Sequence, residues 1–199
     1  TQEDLEGIIR LIKQILEMAR AARQKIKLHV SFASFIPKPH TPFQWARRAD
    51  LKEIQEKIAF IKTSLRGTRP LDLDIHIPHN GVVETILARG DYRVGQLLLK
   101  ALEKGEIFTA WDGDFHYPTW EELIRGTVYE EFLGEISPAE PLPWDFLQVN
   151  FRKEYLEKEY QNALAALPTP SCAQQECKDC RGCIYGMKGK TVDIPISSE

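Results

Sequence analysis

The chain has 199 residues, is 43% hydrophobic and 28% charged, and carries a formal net charge of −3 with a sequence pI near 6.0. That length supports one good core, or one core with a small appendage. The acidic balance excludes a global attraction to nucleic acid or an anionic membrane, and the apolar stretch Ile8 to Leu16 is broken by Arg10, Lys13 and Gln14, so nothing spans a bilayer. A cytoplasmic protein with no membrane partner is expected.

At the amino end, Leu5, Ile8, Ile9, Ile12, Ile15, Leu16 and Met18 recur at helical spacing and predict a helix over 3–23 with a broad apolar face. No element precedes it for that face to cover, so the chain reads as a piece of a longer protein. Between Lys25 and Phe35, Ile26, Leu28, Val30 and Phe32 alternate with Lys27, His29, Ser31 and Ala33, which is the period of a strand. His29 and Ser31 therefore share one strand face, where satisfied core polar groups are the expected role ahead of substrate contact.

Ile36 to Trp45 comes next, and its three prolines, Pro37, Pro39 and Pro42, exclude both helix and ladder and predict an ordered extended loop. Asp50 then caps a second helix, with Glu53 in position to complete a capping box and Leu51, Ile54, Ile58, Ile61 and Leu65 as its buried stripe. Gly67 closes it. Leu71, Leu73, Ile75 and Ile77 alternate with Asp72, Asp74 and His76 to give a second strand, ended by Pro78 to Gly81. Helix, strand, helix, strand is the order that builds parallel sheets.

Beyond Val82 the pattern is helical. One helix covers 82–88 and ends at Gly90, placed as a left-handed C-cap, with Asp91 as the cap of the next helix. That second helix covers 92–104 and ends at Gly105, and Thr119 with Glu122 makes a capping box for a third. Trp111 to Asp114 reads as a tight turn. Pro138, Pro141 and Pro143 make 134–144 a loop, and a last amphipathic helix covers 153–167.

The four cysteines of the chain, Cys172, Cys177, Cys180 and Cys183, then fall within twelve residues as C-x4-C-x2-C-x2-C. Four clustered thiolates are ligands for zinc or an iron–sulfur cluster, and the spacing leaves both metals open. Paired disulfides are disfavoured because the rest of the chain is cysteine-free and large enough to build its own core. Lys178, Arg181, Lys188 and Lys190 surround the cysteines, so a nucleic-acid-binding knuckle reading RNA or the ribosome is the alternative from another class. The tail after Lys190 is expected to fray.

Several single residues carry competing readings. Lys38 and His40 flank Pro39 and suit an anionic group, against a bland role in which His40 caps local carbonyls and Lys38 is solvated. Gln44 and Trp45 could read a planar ligand, although packing is the better expectation for the tryptophan. His76 and His79 bracket Pro78 at a strand end and are weak metal candidates.

The string Phe35-Ile-Pro-Lys-Pro-His-Thr-Pro-Phe-Gln-Trp45, with Ile86-Leu-Ala-Arg-Gly-Asp91, Leu142-Pro-Trp-Asp145 and a cysteine-rich end, resembles the carboxyl-terminal part of radical S-adenosylmethionine proteins. The closest group is the B12-binding type described as Fe–S oxidoreductases. The resemblance implies a fold in which helix 3–23 and strand 25–35 form the last α/β unit of a partial (β/α)6 barrel, followed by a mainly helical extension and a small cysteine metal-binding tail. It implies that the loop above the strand, with Ser34, Lys38, His40 and Gln44, faces S-adenosylmethionine and substrate. The C-x3-C-x2-C motif that holds the radical-generating [4Fe–4S] cluster in this family does not match the terminal cysteines, so that motif, and any cobalamin domain, would lie upstream.

The expected division is therefore 1–48 as barrel end, 49–168 as a mixed then mainly helical extension, and 169–199 as the cysteine loop and tail. The whole protein would cleave S-adenosylmethionine reductively for radical chemistry on an unknown substrate. The fragment alone would be inactive, partnered by the missing amino-terminal barrel of its own chain. A barrel piece could also dimerise through the face its missing strands should cover.

Overall fold

A computed structural model describes residues 1–107, 114–147, 149 and 152–170. Helix α1, Gln2–Ala21, is followed by strand β1, Leu28–Phe32, a short 3-10 turn, Pro42–Trp45, and helix α2, Leu51–Ser64. Strand β2, Leu71–Ile75, pairs with β1 in parallel, with Leu28 opposite Leu71 and Phe32 opposite Ile75. Both strands are shorter than their alternating patterns, because the ladder runs only where the two face each other.

Ile9, Ile12 and Leu16 of α1 and Ile61 and Leu65 close one core over Leu28, Val30, Phe32, Leu71 and Leu73. One face of the sheet is thus covered by α1 and α2. The other face carries His29, Ser31, Asp72, Asp74 and, one step past β2, His76, all exposed. The strand face expected to be a satisfied interior is open among the described residues. The broad apolar face of α1 is likewise only partly used, since Ile8, Leu11, Ile15 and Met18 remain exposed.

The boundary expected after residue 48 falls inside this β1–α2–β2 unit. Asp50 does cap α2, accepting from the Glu53 N–H at 2.7 Å, but the Glu53 side chain turns to Arg47 and Lys57 at 3.0 and 2.6 Å instead of closing the box. Gly67 and Gly105 adopt left-handed φ of 78° and 87° beyond the ends of their helices, as their placement predicts.

Helices α3, Asn80–Arg89, α4, Val94–Glu103, and α5, Tyr117–Ile124, form a second core with the 3-10 segment Val128–Leu133, built on Ile86, Leu97, Trp120 and Phe132. Helix α5 starts two residues before Thr119, so the expected box is not the cap. Pro118, lacking an N–H, fits that first turn. Glu106, almost fully buried, accepts from the Trp120 indole at 2.9 Å and ties the end of α4 to α5. A third core gathers Trp45, Leu142, Trp144, Leu156 and Tyr160 around helix α6, Lys153–Leu164. Among the described residues no helix is long and apolar enough to cross a membrane.

Gly90 is extended, with φ −74° and ψ 164°, and not left-handed as expected. Its glycine identity answers to space instead, because a Cβ there would meet Val94 Cγ2 at 2.1 Å and the Ile86 carbonyl at 2.6 Å. Gly95, in the first turn of α4, has open space around it. Gly90→Ala is therefore expected to destabilise the fold by about 1–3 kcal/mol, whereas Gly95→Ala should stabilise it by roughly 0.5–1 kcal/mol. Urea denaturation of both variants checks the opposite signs.

Candidate functional site

In parallel α/β units, ligands gather at the carboxyl ends of the strands. A cleft of about 530 Å³ opens there, between the segment leaving β1, the end of β2 and the first turns of α3. Ser34, Asp74, His76 and Glu84 supply its polar wall. The floor is held low by Gly81, where a Cβ would stand 3.1 Å from both the Ser34 hydroxyl and the Arg48 guanidinium. The strand face beside the cleft is a polar ladder: Ser31 Oγ lies 3.3 Å from both Asp74 Oδ2 and His76 Nε2, and Asp72 meets Lys27 at 3.3 Å and His29 at 3.5 Å. The Lys27 ammonium, with His29, holds the Asp72 carboxyl below its usual range.

The four loop residues singled out in the sequence divide between two places. Ser34 lines the cleft, and Lys38 meets its wall through an ion pair with Glu84. His40 takes a left-handed φ of 57° and turns toward a different cavity, of about 460 Å³, shared with Asp145 and Lys153. Gln44 is 2% exposed, and its Oε1 accepts from the His40 N–H at 2.9 Å and from the Trp144 indole at 2.8 Å. Gln44 thus ties the loop to Trp144 while also lining the cavity beside His40, and Lys38 and His40 do not converge on one anion. Trp45 is fully buried, as packing predicts.

Asp145, from the Leu-Pro-Trp-Asp string, folds its own turn by accepting the Leu142 N–H at 2.9 Å and pairs with Lys153 at 2.6 Å. Burial alone would raise its pKa, but these two partners outweigh it and hold the carboxyl below its usual range. His76 and His79 part company, one in the strand ladder and the other in tilted contact with the Tyr117 ring, centroids 4.5 Å apart. No group of three or more His, Cys, Asp or Glu placed to hold a metal occurs among the described residues. The four cysteines, the basic residues around them and Trp111 to Gly113 lie outside the described residues.

Sequence reasoning missed Glu84 and the buried Arg48, and it took in Arg89 only as part of the Ile86–Asp91 string, without its burial. Glu84 meets Lys38 across 46 positions, and in a helical pattern it reads only as a solvated residue between Val83 and Ile86. No local signal marks an arginine that will be buried.

No family model and no solved structure matches the chain. It is 28% identical over 134 residues to an uncharacterized protein of Methanocaldococcus jannaschii, a match that covers 62% of this chain and 28% of that protein. The chain thus spans less than a third of the length of this relative.

Gln44→Ala strips two buried donors of their acceptor and is expected to cost about 1–3 kcal/mol, read as a lower urea midpoint with unchanged slope. A double-mutant cycle on Lys38 and Glu84, about half exposed each, should return a coupling below about 1 kcal/mol. A larger value would mean that the pair is shielded from water and structurally important.

Proposed function

We propose that the chain is the carboxyl-terminal part of a cytoplasmic radical S-adenosylmethionine enzyme, contributing the end of a parallel sheet, the loop above it and a cysteine metal site. The observation that carries this reading is the parallel β1–β2 pair, apolar and helix-covered on one face, polar and open on the other. Parallel sheets occur almost only with both faces covered, and two strands alone are marginal. An α/β order places the strand preceding α1 beside the free edge of β1, and further strands there would curl the polar face inward, beneath the strand ends where barrels bind ligands. The Phe35–Trp45 string follows β1 at that end.

In such enzymes S-adenosylmethionine and a [4Fe–4S] cluster supply the radical. Within this chain, Ser34 and the Ser31, Asp74 and His76 side chains present hydroxyl, carboxylate and imidazole groups that suit the hydroxyls and amine of such a ligand. Lys38 fixes Glu84 at the rim, and Gln44 holds the loop by its bonds to His40 and Trp144. The terminal thiolates have the chemistry to hold either a second cluster or a structural zinc.

The test has two parts. Iron, zinc and acid-labile sulfide are measured on the anaerobically purified chain and on Cys180→Ser. Bound metal lost from the variant is expected; iron with sulfide assigns a cluster and zinc a structural knuckle, while metal-free protein would overturn the cysteine site. The longer natural chain, reduced anaerobically, should consume S-adenosylmethionine and this chain alone should not. Failure of the longer chain to do so would overturn the enzyme reading.

A further inference from the structure

The cavity of about 460 Å³ lies between the loop after β1, the Leu-Pro-Trp-Asp turn and the start of α6, and shares no lining residue with the strand-end cleft. Among the described residues its polar wall is His40, Gln44, Asp145 and Lys153, and its apolar wall is Leu147, Val149 and Leu156. Gln44 is the informative group. It is 2% exposed, and its Oε1 is held from two sides, by the His40 N–H at 2.9 Å and the Trp144 indole at 2.8 Å. The side-chain NH2 of Gln44 is thereby fixed in orientation. It donates to no group among the described residues, and it is not sealed from solvent as His40 Nε2 and Trp45 Nε1 are.

The two charged groups also keep free positions. Asp145 spends Oδ2 on the Leu142 N–H at 2.9 Å and on Lys153 at 2.6 Å, which leaves Oδ1. An ammonium has three donors, and Lys153 gives one to Asp145 and a longer one to the Glu140 carbonyl at 3.4 Å. The side chains of Lys153 and Asp145 are 34% and 37% exposed, so a ligand can reach both. With one carboxylate beside one ammonium, a simple anion would be repelled by Asp145 and a simple cation by Lys153. A molecule that carries both signs close together meets each group with its opposite.

We propose that this cavity binds a free α-amino acid with an aliphatic side chain. Its carboxylate takes the Gln44 NH2 and a remaining N–H of Lys153, its ammonium donates to Asp145 Oδ1, and its side chain lies against Leu147, Val149 and Leu156. The Asp145–Lys153 pair stays closed, because the ligand uses only positions that the pair leaves free. The volume falls within the roughly 300–1,000 Å³ of small-molecule pockets, and apolar walls with a few fixed polar groups are their usual make-up. This inference does not depend on the radical-enzyme reading.

L-leucine is the probe, titrated into the isotope-labelled 199-residue chain and followed by NMR. Saturable shifts of the Gln44 side-chain NH2 and of the Leu147, Val149 and Leu156 methyls are expected. Isopentylamine and isocaproate, which each lack one charged end, should bind at least about tenfold more weakly. Gln44→Glu keeps an oxygen for His40 and Trp144 but replaces the NH2 donor by a second acceptor, and should lose a similar factor. Lys153→Met, at the exposed side of the cavity, should do the same, and it decides the matter if the buried glutamate unfolds the chain. Absence of saturable binding, equal binding of either one-ended compound, unaltered binding by Lys153→Met, or tighter binding of S-adenosylmethionine than of leucine would overturn the proposal.

Discussion

The main chain and side chains from Gln44 to Arg48 are tied to three parts of the molecule. Trp45 accepts from the Ile136 N–H at 2.9 Å, Ala46 from Arg89 at 3.1 Å, and Arg48 donates its N–H to Leu133 at 2.9 Å. The Arg48 guanidinium then reaches the Pro78 carbonyl just past β2, and Gln44 reaches Trp144. Each buried polar group left without such a partner would cost about 1–3 kcal/mol, so this five-residue stretch fixes how the sheet, the α3–α5 core and the α6 core meet. The prolines before it restrict the unfolded loop and lower the entropy lost on fixing it.

Arg48 runs beneath Gly81, whose missing side chain lets the guanidinium and the Ser34 hydroxyl approach the same point from different elements. Arg89 is fully buried and, among the described residues, pairs with the Ala46 carbonyl and leaves Nε and Nη2 without a partner. The molecule thus buries two guanidiniums beside its central loop, an expense in stability that the apolar cores have to offset.

The alternating patterns of 25–35 and 71–77 and the helical stripes of α1 and α2 were legible in the sequence because each is a local period that the tertiary structure uses directly. Asp50 as a cap and Gly67 as a helix stop were legible for the same reason. What sequence could not reveal depends on distant contacts. Gly90 looked like a left-handed cap, but its neighbour in space, Val94, and not its own φ, demands glycine. The tie of Gln44 to Trp144, a hundred positions away, leaves no local signal either. Likewise, only the register of β1 against β2 shows that His29, Ser31, Asp72 and Asp74 share one open face.

That open face is the point on which the functional reading turns. The Leu28 N–H donates to Pro70 and the Phe32 carbonyl accepts from His76, so the even-numbered residues of β1 bond toward β2 and the N–H groups of His29 and Ser31 point to the free edge. Amide hydrogen exchange at His29 and Ser31, compared between this chain and the longer chain that the proposal assigns to it, tests the proposed neighbouring strand most directly. Fast exchange here and strong protection in the longer chain is the predicted result. Equal exchange in both would mean that no strand pairs with β1, and would contradict the barrel reading.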